Sequence, residues 1–145
     1  LTEIKDKHSK CAVAYADCGT YGALDTVIAT HGVKRLGGNH CYDIFAGSKK
    51  IEEIMESDAG TYFLTDFLVK SFHRSVMVEL GLDKRPELRD DYFKNYSRVI
   101  WLAQQPSKEL EELASQAAAN IGLPLEIQNV GYGQLAQQVR ELLSN

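Results

Sequence analysis

The chain has 145 residues, 44% hydrophobic and 25% charged, with a formal net charge of −4, the length and make-up of one soluble globular domain with a real core. Its 16 Lys and Arg are scattered rather than gathered into a stripe, which argues against a nucleic-acid scaffold. No apolar run approaches the roughly 20 residues of a membrane span and no basic-then-apolar leader opens the chain, so the expectation is a cytoplasmic protein with neither nucleic-acid nor membrane partner.

The chain opens at Leu1, without a methionine, inside a helical pattern that runs to His8, which points to a piece of a longer protein. Cys11 to Ala16 is nearly continuous in apolar content, as a strand covered on both faces should be. Asp17-Cys18-Gly19-Thr20 ends it. Leu24, Val27 and Ile28 then share one face, predicting a helix over Tyr21 to Thr30 with Thr20 as N-cap and His31-Gly32 as stop. Val33 to Leu36 reads as a second strand, closed by Gly37-Gly38.

Asn39-His40-Cys41-Tyr42-Asp43 leads into a short helix through Ile44 and Phe45, and Ser48 caps another over Lys49 to Glu56. Gly60 to Leu64 is the third predicted strand. Thr65 is placed to cap a helix from Asp66 to Leu80, with Phe67, Leu68, Phe72, Val76 and Leu80 inward. After a charged turn, Leu88 to Tyr96 reads as a short helix and Arg98 to Ala103 as the fourth strand. Pro106 and Ser107 begin a helix that reaches Ile121 and stops at Gly122. Leu125 to Val130 is the fifth strand, Gly131-Tyr132-Gly133 a turn, and Leu135 to Leu143 the last helix. This alternation calls for a single three-layer α/β domain over 1–145. About five mostly parallel strands would carry helices on both faces, joined by right-handed crossovers in a Rossmann-like arrangement.

Open parallel sheets bind ligands beyond the carboxyl ends of their strands. That rule nominates Asp17, Cys18, Gly19, Thr20 and Gly22 after the first strand, and Asn39, His40 and Cys41 after the second. Thr65 and Asp66 follow the third, Gln104 and Gln105 the fourth, and Gly131 to Gly133 the fifth. Three cysteines are too few, and odd in number, for a disulfide framework; Cys11, in an apolar strand, reads as a small core residue.

Cys18, His40 and Cys41 offer the thiolate and imidazole donors that suit zinc, iron or a soft metal centre. Adjacent His-Cys residues are a poor chelate for one tetrahedral ion, and no Cys-x-x-Cys supports them. Two other readings stay open: a structural thiol beside a hydrogen-bonded histidine, or a catalytic group of Cys18, His40 and Asp17. In the latter, Cys18 at a helix N-terminus would be the nucleophile and His40 its base, although the Asp17 charge works against a thiolate. The Gly19-Thr20-Tyr21-Gly22 loop can hold a phosphate or carboxylate on free N–H groups, or be a tight turn that needs glycine. It is neither a Walker loop nor Gly-x-Gly-x-x-Gly. Asp66 also reads as a first-turn acid favoured by the helix dipole, and Trp101 as core.

Five segments carry a family resemblance: Tyr15-Ala-Asp-Cys-Gly-Thr-x-Gly-Ala-Leu-Asp25, Asn39-His-Cys-Tyr42, Phe63-Leu-Thr-Asp-Phe67, Leu80-Gly-Leu-Asp83 and Asp91-Tyr-Phe-Lys-Asn-Tyr96. From Ala14 to about Gly133 the chain resembles an uncharacterised domain-of-unknown-function family whose genes lie near corrinoid-dependent methylamine methyltransferase systems. The resemblance implies that Asp17, Cys18, Gly19, His40, Cys41, Thr65 and Asp66 belong to family motifs. It also implies that this chain is the C-terminal part of a longer member, whose N-terminal segment carries Cys-Gly and Leu-His elements of its own.

The resulting expectation is a metal-centre or small anionic ligand site at the strand ends. The protein would be accessory to one-carbon or corrinoid methyl transfer, with a metal ion or corrinoid as candidate cofactor. Two rivals stand beside it. One is a non-catalytic module that docks on a methyltransferase or corrinoid protein through Pro86 to Tyr96. The other is a Cys-dependent enzyme acting on a carboxylate or phosphate substrate.

Overall fold

A computed structural model describes residues 2–8 and 10–144. In chain order it holds α1 (Thr2–Lys5), β1 (Ala12–Val13), α2 (Ala23–Thr30), β2 (Lys34–Arg35), α3 (Cys41–Ala46) and α4 (Ser48–Ser57). β3 (Thr61–Thr65) and α5 (Asp66–Phe72) follow, and a wider π-helical stretch, His73–Val78, prolongs α5. A 3-10 turn (Pro86–Leu88) leads to α6 (Arg89–Phe93), β4 (Arg98–Ala103), α7 (Lys108–Ile121), β5 (Leu125–Asn129) and α8 (Gly133–Ser144). The α/β class holds, and every strand pairing described is parallel. The five strands form two ladders, β1-β2 and β3-β4-β5. Among the described residues no helix is long and apolar enough to cross a membrane.

The chain divides into two compact units, Leu1–Ser48 with Tyr132–Asn145, and Lys49–Gly131. In the first, β1 and β2 share only Ala12↔Lys34 and Val13↔Arg35, so both strands are shorter than their apolar runs predict. α2 starts two residues later than predicted and is not capped by Thr20. Gly22 takes the N-cap position at φ 83°, with no side-chain cap. The cause is a turn in which Gly19, Tyr21 and Gly22 are all left-handed, which delays helical geometry until Ala23. The core of this unit is Ala16, Leu36 and Ile44, against which Cys18 and the α8 residues Leu135, Val139 and Leu142 pack. Cys11 is only half-buried, and its thiol reaches the His8 carbonyl at 3.9 Å.

The second unit is organised on β4, where Val99 to Ala103 are wholly buried on both faces. Val99, Trp101 and Ala103 form one face of the strand and pack with Leu64, Val69, Phe72, Leu110, Ala114 and Ala118. α7 presents this stripe at helical spacing. Ser107 Oγ caps it by accepting the Leu110 N–H at 3.2 Å, and Gly122 closes it at φ 75°. α5 begins as predicted, with Thr65 Oγ1 accepting from Leu68 N at 3.4 Å. Phe67, expected inward, is 69% exposed: α5 and its π-helical continuation bury Val69, Phe72 and Val76, and a residue two before Val69 falls on the opposite side of the helix. In the segment from Pro86 to Tyr96 the aromatics divide, Phe93 into the core beside Tyr62 and Tyr92 towards solvent.

Candidate functional site

The loop after β2 is built around Asp43. Its Oδ2 accepts the backbone N–H groups of Asn39 (3.0 Å) and His40 (2.9 Å), while the Asp43 N–H turns back on His40, donating to its carbonyl at 3.1 Å with the His40 ring in capping-box position. This reciprocal pair is a capping box made by His and Asp instead of the usual hydroxyl and longer acid, and it sets where α3 begins. The His40 ring lies flat against Tyr42, centroids 4.7 Å apart and planes 9° apart, with Nδ1 3.6 Å from Asp43 Oδ2. Close approach makes glycine obligatory at position 38, where φ is 95° and a Cβ would stand 2.8 Å from that of Asp43. Arg35 fixes the other side of the loop. It donates through Nη1 to the carbonyls of Leu36 (2.8 Å) and Gly38 (2.9 Å), and forks onto the Asp25 carboxylate from Nε (2.6 Å) and Nη2 (3.0 Å).

The loop after β1 meets this segment through sulfur. The Cys41 backbone N–H donates to Cys18 Sγ at 3.1 Å. Both cysteines are free and half-buried. Burial foremost, then the neighbouring Cys18, pushes the Cys41 thiol up to about 11. Next to this pair, Asp17 Oδ2 accepts the Gly22 N–H at 3.0 Å. Asp17 Oδ1 and Thr20 Oγ1 are buried without a partner. Open space lies above Gly19 and Gly22, where a Cβ would meet nothing within 4 Å.

Of the residues nominated from sequence, Cys18 and Cys41 are thus in contact, with Asp17, Gly19, Thr20 and Gly22 on one flanking loop and Asn39 and His40 on the other. His40 is held by Asp43 and Tyr42. Among the described residues no group of three or more His, Cys, Asp and Glu side chains is arranged to hold a metal ion. Two soft donors are therefore adjacent, and the third member of the nominated trio is engaged in the capping box.

Thr65 and Asp66 belong to the second unit and act within it. Thr65 caps α5. The buried Asp66 carboxylate accepts from Trp101 Nε1 (3.0 Å), Gln104 N (3.0 Å) and Gln105 N (2.8 Å), and its own N–H donates to Gln104 Oε1 at 2.9 Å. The Gln104 side-chain amide donates onward to the Leu102 carbonyl. Two organisers, Asp43 and Arg35, were not nominated from sequence. The spacing His40-x-x-Asp43 is the one linear mark of the capping box, whereas nothing local marks the pairing of Arg35 with Asp25.

Fold and site define a parallel α/β protein with two thiols meeting where the loops after β1 and β2 converge. It belongs to the family described as "Protein of unknown function (DUF1638)", whose model matches residues 1–139. Neither the curated proteins nor the solved structures contain a significant match to the chain.

Proposed function

We propose that the chain is a small-ligand or metal-centre binding protein whose site is the junction of the 17–22 loop with the 39–43 segment. Cys18 and Cys41 are its paired soft donors, and His40 stands at its rim. The observation that carries this reading is the 3.1 Å approach of Cys18 Sγ to the Cys41 N–H, because it joins the two loops that the strand-end rule nominates. The unpartnered Asp17 Oδ1 and Thr20 Oγ1 support it, since a buried polar group without a partner costs free energy that a ligand or ordered water recovers. A bound soft metal would supply Lewis-acid chemistry, and the two thiols are the donors it prefers. The resemblance of the Asp17-Cys18-Gly19 and His40-Cys41 motifs to a family encoded near corrinoid-dependent methylamine methyltransferases supports an accessory place in methyl-group transfer. Thr65 and Asp66 serve the architecture of the second unit in this reading.

Titration of anaerobic, tag-free, chelator-treated protein with cadmium, followed by thiolate-to-metal absorption, tests the metal arm. Binding near one equivalent, lost in both Cys18→Ser and Cys41→Ser, is expected. Equilibrium dialysis against cobalamin tests the small-ligand arm, with Asp17→Asn as the variant that weakens retention. Absence of binding in both assays overturns the proposal.

A further inference from the structure

We infer that Cys18 and Cys41 are an exchangeable dithiol–disulfide couple, closing onto each other at the expense of a small-molecule disulfide. Three observations carry this. First, the two residues already touch: Cys18 Sγ is 3.1 Å from the Cys41 nitrogen, which is two covalent bonds from the Cys41 Cβ, so the Cys18 sulfur stands within a side chain's reach of Cys41. Second, both side chains are partly accessible. Cys18 rests on the Ala16, Leu36 and Ile44 cluster on one side, while the neighbouring Gly19 and Gly22 open to free space, which leaves a route for a reagent. Third, the two roles differ by geometry. The attacking sulfur in exchange must be reached by the small disulfide, and Cys18 is the one beside the open space at Gly19.

The exchange balances as two steps. The Cys18 sulfur, having given up its proton, attacks one sulfur of the small disulfide; that S–S bond breaks and one thiol leaves carrying the proton. A mixed disulfide on Cys18 remains. The Cys41 sulfur then attacks Cys18 Sγ, expels the second small thiol and passes it the Cys41 proton. The protein dithiol is oxidised by two electrons, and one small disulfide becomes two thiols. The couple uses the same loop junction as the proposed ligand site but none of its ligand chemistry, so it is tested in the presence of chelator.

The experiment incubates the reduced chain, chelated and anaerobic, with oxidised glutathione, then quenches with acid and maps the peptides by mass. The expected result is a peptide pair joined through Cys18 and Cys41, formed roughly tenfold or more ahead of any adduct on Cys11. With Cys41→Ser, a stable glutathione adduct should accumulate on Cys18, because no second thiol resolves it. The wild-type map stands even where that variant folds poorly. Overturning outcomes are a persistent glutathione adduct on Cys18 of the wild-type chain, modification led by Cys11, or two free thiols at equilibrium with excess oxidant. Any of these leaves the cadmium and cobalamin assays untouched, so the two proposals fail separately.

Discussion

The indole Nε1–H of Trp101 donates to Oδ1 of Asp66 across 3.0 Å in a buried setting, and the same carboxylate accepts the N–H groups of Gln104 and Gln105. An acid in the first turn of α5 therefore ties that turn to the end of β4. The favourable helix dipole adds to this, but three donors on one carboxylate are the larger effect.

Asp66→Asn replaces an acceptor oxygen with an amide NH2 that must face an N–H donor. The loss should be about 3 kcal/mol, the cost of one unsatisfied buried donor plus a weakened charged bond. Urea unfolding followed by the fluorescence of Trp101, the single tryptophan, measures it. An unchanged midpoint would show that the carboxylate is not the tie.

Glycines 38 and 19 should respond differently to alanine. At Gly38 the φ of 95° is unfavourable to an L side chain and a Cβ would meet Asp43 Cβ at 2.8 Å. Gly38→Ala should therefore cost about 3 kcal/mol or more and loosen the capping box. At Gly19 the φ of 75° is unfavourable but the space is open, so Gly19→Ala should cost only the backbone penalty, about 1–2 kcal/mol. Thermal unfolding of the two variants side by side decides the order.

Two surface aspartates, Asp25 exposed and Asp58 half-buried, set a stability window at low pH. Hydrogen bonding from Arg35 holds Asp25 below its ordinary 3.8, and hydrogen bonding from Ser97 Oγ (2.5 Å), then from the Gly60 N–H, does the same for Asp58. A depressed carboxylate stabilises the fold above its unfolded value, and that contribution disappears as pH falls through the folded value. Arg35→Met should move the Asp25 carboxyl titration in NMR back up towards 3.8, and Ser97→Ala should do so for Asp58. Each variant should leave the other residue in place.

Cys41 gives the opposite window. Burial and the adjacent Cys18 raise its thiol from 9.0 to about 11, so between these values the folded chain keeps a proton that the unfolded chain has lost. Stability should then fall as pH rises through that interval. Alkylation of Cys41 should stay slow at neutral pH, and Cys18→Ala should lower the pH at which it accelerates. A Cys41 that alkylates at neutral pH like a free thiol would contradict the environment described.

Sequence by itself determined the elements whose signals are local. Arg98 to Ala103 is a strand with the predicted limits, Ser107 and Gly122 delimit α7, and Thr65 caps α5, because capping and apolar periodicity depend on residues a few positions apart. It also brought Cys18 and Cys41 to notice as strand-end residues. Other outcomes needed the folded chain. Left-handed Gly19, Tyr21 and Gly22 displaced the start of α2 past Thr20, and phase on α5 turned Phe67 to solvent. The sulfur of Cys18 found an amide 23 residues away; Asp66 collected donors 35 to 39 residues away. Such contacts follow from which strands pair and in what register, with Thr65 opposite Leu102 setting the position of Gln104. Pairing register is a property of the folded sheet and is written nowhere in the spacing of neighbours along the chain.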